Sequence, residues 1–168
     1  MAFVFSEISK KHERDGFDCE IEPLNTYLKR FARQNHENDI SVTIVATDEG
    51  DSKTVLGYYS VSSGETAFND LPTDIGKKLP KYPVPIMRIG RLAVDKTQKG
   101  KGLGRELLVD ALPRALKAAD LMGVFAVVVD ARNDAAKSFY KKYGFTEFKD
   151  KPMVLFIAIE TIRDSVSS

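Results

Sequence analysis

Apolar and polar positions along this chain change period several times, and each change marks an element. Residues 3–8 alternate weakly and predict an edge strand. The stretch 22–36 places Leu24, Tyr27, Leu28, Phe31 and Ala32 at helical spacing, with Pro23 suited to the first turn. Residues 41–47 (SVTIVAT) and 54–66 (TVLGYYSVSSGET) are rich in β-branched and aromatic residues and predict two strands, joined by the turn chemistry of DEGDSK. Residues 68–85 hold four of the seven prolines and predict a loop with one short helical turn.

The second half repeats the logic more strongly. Residues 86–95 (IMRIGRLAVD) return to strand. Residues 102–122 predict the longest helix, with Leu103, Leu107, Leu108, Leu112, Leu116 and Ala119 as its apolar stripe and a kink at Pro113. Residues 124–130 are nearly all apolar, as in a strand buried on both faces. Asn133 caps a helix over 133–143 that Gly144 ends, and a last strand covers about 153–162. The pattern is that of a mixed sheet covered by helices, an α+β chain of one domain over 1–168, without repeats or linkers.

Composition narrows the function classes. The 168 residues are 43% hydrophobic and 29% charged, the balance of a globular domain. One cysteine, Cys19, excludes an internal disulfide framework and fits a reducing cytoplasm. Two histidines, His12 and His36, without a Cys/His cluster argue against zinc and lead us to expect no metal. The N-terminus lacks a signal-peptide pattern, and no apolar run reaches the roughly 20 residues of a membrane span, so no membrane role is expected. Net charge is +1, far from the footprint of a strongly basic nucleic-acid-binding domain. The cations nevertheless crowd the middle of the chain, from Lys77 to Arg105.

The sharpest chemical feature is the run Lys99-Gly100-Lys101-Gly102-Leu103-Gly104, between the strand ending at Val94 and the long helix. Alternate glycines let backbone N–H groups turn toward an anion, and the helix start adds its dipole. Lys99, Lys101 and Arg105 add full charges. The glycines alone leave two readings open: a phosphate cradle, or a strand-to-helix turn that binds nothing. The Walker A and Rossmann patterns do not fit.

The order Arg91-Leu92-Ala93-Val94-Asp95, glycine turn, Asn133, Phe139-Tyr140 and Gly144-Phe145 resembles the GNAT superfamily of N-acetyltransferases. Phe17-Asp18-Cys19, Leu24 to Leu28, Gly57-Tyr58-Tyr59, Pro83-Val84-Pro85 and Leu155-Phe156 narrow the resemblance to the TacT-type toxins. Two departures stand out: Lys99 where Arg or Gln is usual, and Asn25 where Asp is expected.

The resemblance implies a single mixed sheet of six to seven strands with about four helices. It implies an acetyl-CoA-dependent N-acetyltransferase that blocks the α-amino group of aminoacyl-tRNA, a homodimer neutralised by a ribbon-helix-helix antitoxin in the cytoplasm. It places acetyl-CoA on Leu92, Ala93, Val94, Lys99, Gly100, Lys101, Gly102, Leu103, Gly104, Arg105 and Asn133, and makes Tyr140 the general acid. Spacing alone leaves Tyr140 either a proton donor or a packed aromatic, and the 92–94 backbone either an oxyanion site or an ordinary ladder.

Glu65, Asp95 and His36 are the candidate bases. Absence of a clear base favours an α-amine acceptor, whose pKa of about 7.7–8.0 leaves much of it neutral. Lys29, Arg30, Arg33, Lys77, Lys78, Lys81, Arg88 and Arg91 are the candidate RNA contacts, or otherwise a solvated face. Two other readings share the residues: acetylation of protein N-termini or small amines, and a coenzyme-A-binding module without turnover.

Overall fold

A computed structural model describes residues 2–167. The strands are β1 (Phe3–Glu7), β2 (Val42–Asp48), β3 (Gly57–Thr66), β4 (Val84–Val94), β5 (Ala126–Asp130), β6 (Thr146–Phe148) and β7 (Lys151–Ala158). They form one seven-stranded sheet in the order β1-β2-β3-β4-β5-β7-β6. The sheet is mixed: β4 pairs parallel to β5, whereas β1–β2, β2–β3, β5–β7 and β6–β7 are antiparallel.

The helices are α1 (Glu22–Thr26), α2 (Ala32–Glu37), α3 (Thr73–Gly76), α4 (Leu103–Leu121), α5 (Asp134–Lys142) and α6 (Ile159–Ser167). A π-helical turn, Tyr27–Phe31, joins α1 to α2 without a break. Counting that run as one gives five helices among the described residues. Among these residues no helix is long and apolar enough to cross a membrane.

The chain divides into two compact units. The first comprises Met1–Ser62 and Gly90–Ala111. Its core gathers Phe17, Leu24, Tyr27, Leu28, Val45 and Tyr58 under α1 and β2. Gly57 packs closely there: a Cβ at this position would lie 3.1 Å from the Ala93 carbonyl oxygen and 3.0 Å from Leu103, so these neighbours would have to shift by a few tenths of an ångström. The second unit comprises Ser63–Ile89 and Leu112–Ser168. Its core includes Leu71, Val84, Ile86, Val128, Phe148 and Phe156.

Three sequence expectations are corrected. Phe31 is not on the apolar face; it is 49% exposed, whereas Leu24, Tyr27, Leu28 and Ala32 are buried. The π turn explains this: the Ala32 N–H bonds the Tyr27 carbonyl, so Ala32 takes the place above Tyr27. The second half of the α4 stripe turns onto Ala111 and Ala115, which are fully buried, and leaves Leu112 and Leu116 half-buried. The last strand stops at Ala158, and 159–162 begins α6, burying Ile159 and Ile162 at helical spacing.

Candidate active site

The first unit carries the strand end, the glycine turn and the start of α4. β4 pairs with β5 over Ile86–Ile89, and beyond that register it continues through Gly90 to Val94. Ala93 is buried, while Leu92 and Val94 are half-buried. Asp95 ends the strand and caps the short 3-10 turn Lys96–Gln98, accepting from the Thr97 N–H at 3.0 Å and the Thr97 hydroxyl at 2.6 Å.

Gly100 and Gly102 hold φ of +78° and +82°, a region that side chains rarely adopt, and a Cβ at either would meet open space. The turn is therefore strained for any other residue and uncrowded on its outer side. Helix geometry leaves the N–H groups of Leu103, Gly104 and Arg105 without an acceptor inside α4. The Glu106 N–H reaches the Gly102 carbonyl at 3.1 Å. Lys101 and Arg105 are exposed. Left-handed glycines, helix-start N–H groups and two exposed cations are the components an anion site for a diphosphate requires.

Lys99 is already occupied. Its ammonium pairs with the Glu20 carboxylate, which raises the lysine pKa. Glu20 itself is a non-glycine residue at φ 68°. Asp18 holds that conformation by accepting the Glu20 N–H at 2.8 Å, and Asp95 holds the loop by accepting the Asp18 N–H at 2.8 Å. Sequence reasoning missed this loop; its signal was the Asp18-x-Glu20 spacing ahead of Asn25.

The second unit carries Asn133 and Tyr140. Asn133 accepts the Ala136 N–H at 2.9 Å and so starts α5 as expected. Tyr140 is 8% exposed and lies among the rings of Phe139 and Phe145. Burial, helped by the charge of Asp130, pushes its phenol up to about 12. It therefore keeps its proton throughout the neutral range.

The candidate bases are otherwise engaged or remote from such packing. His36 accepts the Thr43 N–H at 3.0 Å through Nδ1 and faces Glu7 at 3.3 Å through Nε2, tying α2 to β2. Burial works to raise the Asp95 pKa, but the hydrogen bonds from Thr97 and Asp18 outweigh it and leave the carboxyl below its usual value. That suits a cap better than a base. Glu65 is exposed near the end of β3.

The cationic residues fall into two sets. In the first unit, Lys29, Arg30 and Arg33 lie along the helical run, with Arg33 paired to Glu37 at 3.3 Å. Arg91 stacks its guanidinium over the Tyr27 ring, 3.6 Å from the centroid. In the second unit, Lys77, Lys78 and Lys81 are exposed, whereas Arg88 is held by Asp130 at 2.7 Å. Among the described residues no group of three or more His, Cys, Asp or Glu side chains is placed to hold a metal.

Known proteins match this arrangement over most of the chain. The acetyltransferase (GNAT) domain family matches residues 22–155. A tRNA-acetylating toxin of Mycobacterium tuberculosis is 34% identical over 93% of this chain and 92% of its own. A probable toxin TacT of Sinorhizobium fredii is 28% identical over 91% and 88%. Among solved structures, a mutant of KacT superposes with a TM-score of 0.92 at 29% identity, covering 98% of this chain and 99% of that one. AtaT complexed with acetyl-methionyl-tRNA superposes at 0.91 with 26% identity over 98% and 99%. The strand, glycine cradle and capped helix therefore lie within a recognised domain, and the chain belongs to the GNAT acetyltransferases.

Proposed function

We propose that this chain transfers the acetyl group of acetyl-CoA to the α-amino group of an aminoacyl-tRNA, blocking translation until an antitoxin neutralises it. The observation that carries this reading is the cradle at Gly100–Gly102 in a chain 34% identical to a tRNA-acetylating toxin along nearly its whole length. An antitoxin of ribbon-helix-helix type, a homodimeric state and a cytoplasmic location complete the reading. Neutralisation by an antitoxin is supported by the toxin relative and by the structure of AtaT bound to the antitoxin AtaR; the antitoxin type, the homodimer and the location rest on the resemblance to the TacT-type toxins.

In this scheme the cradle, with Lys101 and Arg105, holds the diphosphate, and β4 at Leu92–Val94 carries the pantetheine arm. Acetyl-CoA supplies an activated thioester. The amine nitrogen bonds to the acetyl carbon, the carbon–sulfur bond breaks, and the proton lost by the amine ends on sulfur. Backbone N–H groups of Leu92–Val94 are the donors for the developing oxyanion.

Tyr140 donates a hydrogen bond to the departing thiolate and relays that proton. Because its phenol sits near 12 and a thiol near 8.5, the phenol stabilises the leaving group and does not surrender its proton permanently. No strong base is needed, since an α-amine with a pKa of about 7.7–8.0 is substantially neutral at pH 7.5.

The test is acetyl transfer from labelled acetyl-CoA to a pool of charged tRNA. Label on the aminoacyl group is expected. Label on protein N-termini or polyamines without label on tRNA would replace this reading by a general N-acetyltransferase. Tight acetyl-CoA binding without transfer would replace it by a binding module. In the same assay Tyr140→Phe is expected to bind acetyl-CoA normally and to lose roughly 10²-fold in kcat. An unchanged kcat would remove Tyr140 from the chemistry.

A further inference from the structure

The segment between β3 and β4, with Lys149 from the β6–β7 turn, lines an open cavity of about 210 Å³ that the acetyl-transfer scheme does not use. Phe68, Leu71 and Leu79 form its apolar floor, with Leu71 buried to 1% exposure in the core of the second unit. Lys77, Lys81 and Lys149 form its rim. Asn69 and Thr73 add two hydrogen-bonding side chains to the lining.

The walls are tied together. The Lys149 N–H donates to the Asp70 carbonyl at 2.8 Å, and Lys151 pairs with the Asp70 carboxylate at 3.1 Å. Among the described residues, no carboxylate pairs with Lys77, Lys81 or Lys149, in contrast to Lys151. The rim is therefore a local excess of positive charge over an apolar floor.

These features define the occupant. It must present a flat apolar body, polar edges for Asn69 and Thr73, and anionic charge outside the mouth. The cavity is smaller than the roughly 300–1,000 Å³ of drug-sized ligand sites, so it suits one compact planar group and not an extended molecule. A nucleobase meets all three demands, because its face stacks on an aromatic ring and its edge hydrogen-bonds. Its flanking phosphates then meet the lysines. An apolar side chain of an acidic peptide meets the first and third demands but offers no polar edge.

We propose that this cavity binds one unpaired base of a single-stranded RNA segment, with Lys77, Lys81 and Lys149 on the adjacent phosphates. The proposal rests on the reading of the chain as an enzyme acting on charged tRNA. It adds a holding point for RNA outside the acetyl-transfer residues.

The experiment measures binding of short oligoadenylate to the full chain by fluorescence anisotropy, beside an abasic oligomer with the same phosphates. Oligoadenylate is expected to bind at least about tenfold more tightly. Phe68→Leu, which keeps an apolar floor but removes the ring, should abolish the preference while the melting temperature reports retained folding. Asn69→Ala, at an exposed position, should reduce the preference and serves if the first variant does not fold. Lys77→Gln and Lys81→Gln should weaken both oligomers alike, each lowering the slope of log affinity against log salt by about 0.7.

Equal binding of the two oligomers, or a preference untouched by both Phe68→Leu and Asn69→Ala, overturns the proposal. So does an acidic leucine-containing peptide that occupies the cavity when oligoadenylate does not. Acetylation of charged tRNA is followed in parallel. Intact acetylation without a base preference removes the cavity alone, whereas no acetylation of any charged tRNA removes the enzyme reading beneath it.

Discussion

The side-chain amide of Asn25 accepts the Cys19 N–H at 2.9 Å through its oxygen and donates to the Asp18 carboxylate at 3.0 Å through its nitrogen. The residue is 4% exposed. An aspartate at this position would set a carboxylate against a carboxylate and leave it without the donor. From sequence, Asn25 is a departure from an expected Asp; the structure shows that both ends of the amide order the loop carrying Asp18 and Glu20. Asn25→Asp is expected to lower stability by about 1–3 kcal/mol. The deficit should shrink as pH falls through the carboxylate range, because a protonated aspartate can donate; thermal melts across pH check both points.

Tyr140 gives a second prediction. An ordinary phenol ionises near 10, and this one is lifted to about 12 by burial and by Asp130. Its folded-state pKa is thus raised, and its neutral form is the one favoured by folding. Below about pH 10 it is neutral in both folded and unfolded chains and adds no pH dependence. Above that the unfolded chain ionises first, so stability should fall as pH rises from about 10 towards 12. Enzymatically, kcat should show no decline between about pH 8 and pH 10 attributable to the phenol. A decline centred at about 10 would mean that its environment does not perturb it.

Among the elements, the strand–turn–helix of β4, Gly100–Gly102 and α4 was legible because its demands are local. Three glycines, a preceding largely apolar stretch and a following leucine stripe specify it without reference to partners. Gly100→Ala and Gly102→Ala each force a side chain into a left-handed conformation, at about 1–2 kcal/mol. Each is expected to raise the KM for acetyl-CoA more than it lowers kcat, since the cradle acts in binding; a pure kcat effect would argue against the cradle.

Other elements were less legible for physical reasons. The π turn at Tyr27–Phe31 leaves no mark in a helical pattern, because it shifts the phase by one residue only where Arg14 reaches the Leu28 and Lys29 carbonyls, both at 3.4 Å. The junction of β7 and α6 was hidden in MVLFIAIETI, where an apolar strand runs directly into an amphipathic helix with no Gly, Pro or polar turn between them. β6 has only three residues and depends on pairing with β7.

For the molecule as a whole, the sheet class and six of the seven strands followed from the periodicities, β6 being the strand they did not mark, but the closeness of packing did not. Gly57 reads in sequence as one residue of a β run; its tight surroundings appear only where Ala93 and Leu103 approach it. Gly57→Ala is expected to destabilise the fold by about 1–3 kcal/mol and to lower Tm by several degrees, with little effect of ligand on the difference. The net charge of +1 is equally uninformative about local surface, because the second-unit cavity is lined by three lysines and by no acidic side chain.

The pairing of Lys99 with Glu20 gives cofactor capture an unusual character. The lysine that replaces the customary Arg or Gln brings its own counter-ion, so a diphosphate arriving at the cradle exchanges one anion for another at this position. Under the proposed function, the net attraction then falls to Lys101, Arg105 and the backbone of α4. Two consequences follow for a titration with acetyl-CoA. Glu20→Gln should tighten binding a few-fold, most clearly at low salt, and Lys99→Gln should weaken it less than Lys101→Gln does. Lys99 thus acts as a charge whose availability the neighbouring loop sets.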